Sequence, residues 1–468
     1  MKLYERYADE IADLIRQQVL RPGERLPSVR QARSQRGISP STIFEAYCLL
    51  EARGLIHCRP RSGYYVNATK TPRTPEPTTA APANQSTPVA VSELVFEVLG
   101  STRNQQLVPL GSAFASPQLF PLDKLARALT PAMRQLPPEQ LTEQLTLGDE
   151  ALRRQIALRY SVGGTRVEPG ELVITNGAME ALNLCLQVTT QPGDVVVVES
   201  PAFYAALQAL ERLQLRAVEV ATHPRTGVDV DSLARVLQQH PVKACWLMPN
   251  FQNPLGSLMP VENKQALVQL LAQHQVPLIE DDVYGELYFG LHRPPPAKAF
   301  DTQGLVLHCS SFSKSLAPGY RVGWVAAGRY AEAVQRAKLM TSLSTAIPSQ
   351  QAIASYLHTG GFDRHLRQMR LRLEDNASVA LRAIAKHFPK GTKVTRPQGG
   401  YFLWVELPAT VDALALHQRA LAQGISVAPG HLFSADRRFA HHLRLNYGHH
   451  DADALRAALQ KLGQLCSA

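Results

Sequence analysis

Residues 310–324, SSFSKSLAPGYRVGW, set Lys314 among serines directly after an apolar run, with Arg321 seven places further on. A lysine amine does covalent chemistry when it forms a Schiff base, and its usual carbonyl partner is pyridoxal phosphate. A site for that cofactor has further needs: an anion for the ring nitrogen, donors for its phosphate and ring oxygen, a face for the ring, and a cation for an amino acid's carboxylate. The chain offers a candidate for each. Asp281, in EDDVYGELY, ends an apolar run and would keep the ring nitrogen protonated. Tyr284, and Asn253 in PNFQNPLG, can hydrogen-bond the ring oxygen. TNGAMEAL opens a helix, so the amides of Gly177, Ala178 and Met179 form an anion site at its positive end. Ser311, Ser313 and Arg321 would surround the same phosphate, Phe203 in ESPAFY would stack on the ring, and Arg444 in LRLNYG would grip a carboxylate with its planar fork. Taken singly, each has a plainer reading: an Asp caps helices, a Phe fills cores, and an Arg is a solvated charge. The ordered set outweighs those readings.

A second device stands near the other end, GERLPSVRQARSQRGISPSTIFEAY, residues 23–47. Before it, residues 3–19 place Tyr7, Ile11, Leu14, Ile15 and Val19 near one helical face. Ser28 followed by Gln31 has capping-box spacing, Gly37 suits a left-handed helix stop, and Ser39-Pro40 opens a third helix with Ile43, Tyr47 and Leu50 inward. LIHCRPRSGYYVN then reads as two short strands about a basic turn. A three-helix unit ending in such a hairpin is a winged helix-turn-helix, whose third helix enters the major groove while the wing meets backbone or minor groove; a protein-binding winged helix is the alternative. The stretches GERLPSVRQAR, ISPSTIFEAYCLLEARGLI and RSGYYV resemble the DNA-binding domain of GntR regulators. That resemblance implies that Ser28, Arg30, Ser41, Thr42 and the wing residues Arg61, Ser62 and Gly63 hold phosphates, with Arg25, Tyr47 and Arg59 as further candidates. The chain departs from many such domains at Pro40 and Phe44, where a base-reading Arg is common; contact with thymine methyls would be the substitute.

The elements that must position these residues divide the chain. At 468 residues it exceeds what one hydrophobic core usually supports. Residues 1–68 form the expected reader, with 11 Lys or Arg against 7 Asp or Glu. Residues 69–92, rich in Pro, Thr and Ala and without apolar period, read as a flexible, extended linker. From 93 to 468, apolar runs such as DVVVVES, VPLIEDD and GLVLHCSS alternate with helical periods, which predicts an α/β fold, a mainly parallel sheet covered on both faces. From about 360 a smaller α+β lobe is expected. The loaded residues stand at the C-terminal ends of the strands, where open α/β sheets bind ligands.

Composition restricts the surroundings. No C-x-x-C pair occurs among the six cysteines, which suits a reducing cytoplasm. The acid-rich start is no signal peptide, no apolar stretch approaches membrane length, and the doublets His441-His442 and His449-His450 cannot both point at one metal; neither membrane nor metal is expected. The net charge of +10 is compatible with a polyanionic partner.

NPLG, DDVY, SFSK with R-x-G, and LRLNYG follow the order and spacing of fold type I pyridoxal-phosphate enzymes, and residues 107–465 resemble the aminotransferases. The resemblance also puts Gly111, in LGSAFASPQLFP, in the stretch that closes on substrate. A Tyr-Gly that often precedes the first helix is reduced here to Gly148 in LTLGDEALRR, so one donor to the neighbouring subunit's phosphate is missing. Reader, linker and aminotransferase-like domain in this order resemble the MocR subfamily of transcriptional regulators. That implies a head-to-tail homodimer in which pyridoxal phosphate, or an amino compound meeting it, governs binding to a double-stranded DNA operator. A working aminotransferase with a DNA-binding appendage, and an inert fold kept for dimerisation, are the competing readings.

Overall fold

The structure, a computed structural model, describes residues 3–16, 19–21, 23–59, 62–67, 74–100, 107–134, 136–139 and 147–467. They form two compact units, Met1–Arg73 and Thr74–Ala468.

In the first unit, α1 (Leu3–Arg16) buries Tyr7, Ala8, Ile11 and Ala12, while Val19, expected on this face, lies beyond the helix and is exposed. α2 (Val29–Arg36) starts from a reciprocal cap: the Gln31 N–H donates to Ser28 Oγ (3.2 Å) and the Ser28 N–H to Gln31 Oε1 (2.9 Å). It ends at Gly37, whose φ of 65° lies in the left-handed region that glycine adopts without strain. Ser39 caps α3 (Pro40–Ala52) by accepting from the Thr42 N–H, and Pro40 occupies a helical position that has no amide to satisfy. The antiparallel hairpin β1 (Ile56–Arg59) and β2 (Gly63–Val66) completes the unit.

The second unit is built on a nine-stranded sheet. Its main path comprises β3 (Thr87–Pro88), β4 (Leu172–Thr175), β5 (Val195–Ser200), β6 (Arg216–His223), β7 (Val242–Leu247), β8 (Leu278–Asp281), β9 (Val306–Ser311) and β10 (Gly323–Ala326). In space the order is β3-β6-β5-β7-β8-β9-β10-β4. β6, β5, β7, β8 and β9 pair in parallel; β10 is antiparallel to both β9 and β4, so β4 points with the majority. Every residue of β4, β5, β8, β9 and β10 is buried, as continuous apolar runs in a sheet covered on both faces require. From Gly361 a long helix, Gly361–His387, leads into a four-stranded antiparallel sheet, β11 (Lys393–Val394), β12 (Phe402–Glu406), β13 (Ala428–Pro429) and β14 (His442–Asn446), in the order β11-β12-β14-β13.

The segment expected as a linker differs from that expectation where it is described. From Thr74 onward it lies along the second unit. The Thr74 carbonyl accepts from Arg396 Nη2 (2.7 Å) and the Pro75 carbonyl from the Val394 N–H (2.8 Å), and Glu76 pairs with Arg225. Further on, Arg216 donates to Ser86, β3 pairs with the start of β6, and the amides of Val91 and Ser92 both donate to Glu211 Oε2 (2.8 and 2.9 Å). Proline-rich composition removes donors from this segment but leaves its carbonyls, and backbone and side-chain donors distant in sequence take them up.

Candidate functional site

The strand ends deliver the chemistry. β9 stops at Ser311, and the turn that follows carries Ser313 and Lys314 before Arg321 and β10 return into the sheet. Next to it, β8 ends at Asp281. On the other side of β10, β4 runs into Asn176 and Gly177, the N-cap of the helix Ala178–Thr189, so the amides of Ala178 and Met179 begin a helix as expected. Arg321 binds these pieces together: Nη1 donates to Ser313 Oγ and Nη2 to the Asn176 carbonyl, both at 3.1 Å, while the Ser313 N–H donates to Ser311 Oγ (3.3 Å). Gly177 is required here. Its φ of 84° and ψ of 170° belong to glycine, and a Cβ would stand 2.3 Å from Arg321 Nη2. Gly323 is equally confined, since a Cβ there would lie 2.5 Å from the Gly177 carbonyl carbon.

Lys314 donates from Nζ to the Ala113 carbonyl (2.9 Å) and sits 3.6 Å from the centre of the Phe114 ring. Burial, with the positive charges of Arg444 and Arg321, pushes its pKa down to about 7 against the opposing pull of Asp281. Burial and the adjacent Asp282 push Asp281 up to about 7, with Lys314 acting the other way. Asp282 is held differently. Although burial opposes its charge, His308 and Arg293 keep its carboxyl below the usual range: His308 Nε2 and Arg293 Nη2 both lie 3.1 Å from Oδ2. Asp281 Oδ1 and the indole Nε1 of Trp246 are both buried without a hydrogen-bond partner.

Arg444, on β14, is wholly buried. Nη1 donates to Asn253 Oδ1 (3.1 Å) and Nη2 to the Gly111 carbonyl (2.7 Å), while Nε has no partner. Among the described residues no carboxylate pairs with it. Asn253 Nδ2 is buried and unpartnered too. A buried cation whose hydrogen bonds go only to neutral oxygens is suited to receive an anion. Tyr284 is buried edge-on to Tyr401 and Phe402, and Phe203 caps the helix Tyr204–Arg212. Gly111 is fixed by space, since a Cβ would stand 2.6 Å from the Val427 carbonyl carbon.

These residues fit pyridoxal phosphate. An amine near neutrality, an unpartnered carboxylate oxygen, an unpartnered amide, and a serine–arginine–glycine cradle at a helix start are the donor set its aldehyde, ring nitrogen, ring oxygen and phosphate require. Sequence reasoning missed Ala113, whose carbonyl also accepts from Tyr401 (3.1 Å), as well as Asn176, Phe114 and Trp246. GGYFLW, which holds Tyr401, was legible only as a strand of the smaller lobe.

In the first unit Arg25, Arg30 and Ser41 are exposed, and Ser28, Thr42, Ser62 and Gly63 are partly so. Arg25 packs its guanidinium against Gly63, whose Cβ would meet Nε at 3.3 Å, so these two expected contacts stand together at the turn end of the hairpin. Ser62 Oγ lies 2.6 Å from the Tyr65 hydroxyl. Arg61 and the side chain of Arg59 lie outside the described residues. Tyr47 is a correction: it is fully buried, and its hydroxyl donates to the Pro27 carbonyl (2.8 Å), which puts it out of reach of any phosphate. The hydroxyl instead ties α3 to the turn before α2.

Residues 124–462 match the family model for aminotransferase class I and II, and residues 3–66 that for bacterial regulatory proteins of the gntR family. The chain is 45% identical to the HTH-type transcriptional regulator YdcR of Escherichia coli K12 over 99% of both chains. Among solved structures it is similar to a multiple substrate aminotransferase from Thermococcus profundus (TM-score 0.74, 30% identity, 81% of this chain and 95% of that one). It is also similar to LysN, the α-aminoadipate aminotransferase of Thermus thermophilus, complexed with N-(5'-phosphopyridoxyl)-L-leucine (TM-score 0.72, 30% identity, 81% and 98%).

Proposed function

Because the chain belongs to the aminotransferase class I and II family and carries a gntR-family reader ahead of that domain, we propose that it is a MocR-type transcriptional regulator. In this reading a cytoplasmic head-to-tail homodimer binds a double-stranded operator and answers to pyridoxal phosphate and to an amino compound. When bound, the cofactor supplies an aldehyde that condenses with amines and a ring that draws electrons from the adduct. The residues of this chain do the rest. Lys314 presents an amine that is half neutral near pH 7. Asp281 and Asn253 direct unpartnered polar atoms to hold the ring nitrogen and ring oxygen, with Tyr284 beside them and Phe203 offered to the ring face. Ser311, Ser313, Arg321 and the amides from Gly177 to Met179 would hold the phosphate. An amino acid entering the site would find Arg444 for its carboxylate, in place of the Gly111 carbonyl that Nη2 now holds. Since Arg444 lies in the smaller lobe and Gly111 in the segment that crosses it, this exchange is a local change with a route outward through β14.

The observation that carries the reading is the buried Arg444 without a carboxylate, on the same chain as the reader. Such a ligand shifts DNA binding only by the ratio of its affinities for the two states of the dimer. The presence of Lys314, Asp281 and Arg444 together also favours a second reading, a working aminotransferase. Genome-wide mapping of DNA bound by the native chain and by Lys314→Ala tests the first: discrete sites whose occupancy changes in the variant are expected, near genes of vitamin B6 or amino-acid metabolism. Sustained transfer of amino groups to an oxo acid, with no discrete site on the genome, would replace it by the second.

A further inference from the structure

Phe44 stands on α3 with 54% of its surface exposed, although that helix buries Ile43, Ala46, Tyr47 and Leu50 behind it. The outward side of α3 divides in two. Toward its C-terminus, Glu51 Oε1 accepts from the Cys58 N–H (2.7 Å), so that half is joined to the hairpin. Toward its N-terminus, Pro40, Ser41, Phe44 and Glu45 are all exposed. It is the N-terminal residues of a recognition helix that reach base edges. Between residues 40 and 52 there is no Lys, Arg, Asn or Gln, so the bidentate pairs that read guanine and adenine are unavailable from this helix. The short hydroxyls of Ser41 and Thr42 are already engaged with Ser39 Oγ, at 2.9 and 2.8 Å. What remains at the start of the helix is the acid Glu45, which can only accept, and one large apolar side chain, Phe44, and the one apolar group in the major groove is the C5 methyl of thymine.

We propose that Phe44 selects the operator by covering a thymine methyl, so that each half-site carries a T·A pair under the start of α3. Charge favours DNA over a protein as the occupant: Arg25, Arg30 and Arg33 of this unit are all exposed, and α3 brings its positive end to the same region as Phe44. Glu45, one residue on, is turned about 100° round the helix from Phe44. The inference rests on the DNA-binding reading above, and its test separates the two.

The full-length chain, loaded with pyridoxal phosphate, is used to select duplexes from a random library. Each thymine of the enriched site is then replaced by deoxyuridine, which removes only the methyl. One thymine per half-site should weaken binding about fourfold on replacement, the value of one buried methyl group, and about 15-fold when both half-sites are changed. Phe44→Ala should bind the thymine site more weakly and lose its sensitivity to deoxyuridine, while Phe44→Leu should keep part of it. An enriched site indifferent to every deoxyuridine replacement, or a Phe44→Ala protein that still distinguishes the two bases, overturns this inference and leaves the reader intact. Unchanged DNA affinity in Phe44→Ala together with a changed sedimentation coefficient assigns Phe44 to a protein contact and overturns it too. No enriched sequence at all overturns the DNA-binding reading and the inference with it.

Discussion

Gly177→Ala loads the phosphate cradle at one atom. The backbone there has φ 84° and ψ 170°, a region in which a side chain costs about 1–3 kcal/mol. The new methyl would also lie 2.3 Å from Nη2 and 2.7 Å from Cζ of Arg321, so the guanidinium must leave its place. It then gives up Ser313 Oγ and the Asn176 carbonyl, and with them its aim at the phosphate. A charge-assisted hydrogen bond contributes about 1.5–3 kcal/mol, which is about 10- to 150-fold in affinity. Global stability should therefore fall by about 1–3 kcal/mol and affinity for pyridoxal phosphate by one to two orders of magnitude.

The two effects separate in a double-mutant cycle. Arg321→Ala alone should lose the cofactor affinity while keeping most of the stability, because the guanidinium is only part-buried. In Gly177→Ala/Arg321→Ala the methyl has no guanidinium to displace, so cofactor affinity should match that of Arg321→Ala within about threefold. Urea unfolding of the apo proteins and titration of the visible absorbance with cofactor give both quantities. Additive losses of affinity in the double variant would refute the contact between Gly177 and Arg321 as the cause.

The remaining expectations concern charge and the reader. With its amine near 7, Lys314 gains reactivity as pH rises through about 7 and levels off above it, whereas an unperturbed lysine would keep rising to about 10.4. Stopped-flow capture of the cofactor measures this, and Asp281→Asn should move the inflection lower because it removes the charge that favours the ammonium. Arg444→Leu should leave cofactor affinity within about threefold but weaken the spectral response to amino acids by about 10- to 150-fold, with little change for amines that lack a carboxylate. Tyr47→Phe removes the bond to Pro27; it should cost about 0.5–1.5 kcal/mol of stability in the first unit, followed by hydrogen exchange, and leave DNA affinity unchanged.

Much of this architecture was legible because both devices are written in local signals. Ser28, Gln31, Gly37 and Ser39-Pro40 mark helix ends by chemistry confined to four residues, and the structure places α2 and α3 between them. Asp281, Ser311 and Gly177 are legible for a similar reason: apolar runs predict strands, and the residues at or just past their C-terminal ends come together at that end of the sheet. Tyr47 shows the limit. Its spacing marks it as inward and the resemblance to GntR readers as a phosphate contact, and only the position of the Pro27 carbonyl, 20 residues earlier, decides between the two. Residues 74–91 show it again, because their attachment depends on single groups of Arg225, Arg396 and Glu211 that no period in the segment announces.

The same distinction bears on how a ligand signal would leave the site. Arg444 lies on β14, in register with Trp404 of β12, and β12 pairs with β11, whose Val394 amide holds the Pro75 carbonyl. Glu406, at the end of β12, accepts from the Thr78 N–H (3.4 Å). Farther along, the segment is held by Arg216 and Glu211 of the larger sheet and its helices. Residues 74–92 therefore touch both lobes of the second unit, Thr74, Pro75 and Thr78 on the smaller and Glu76, Ser86, Val91 and Ser92 on the larger, so a displacement of the smaller lobe would be taken up first among residues 74–78. Those residues are the ones that continue into the reader.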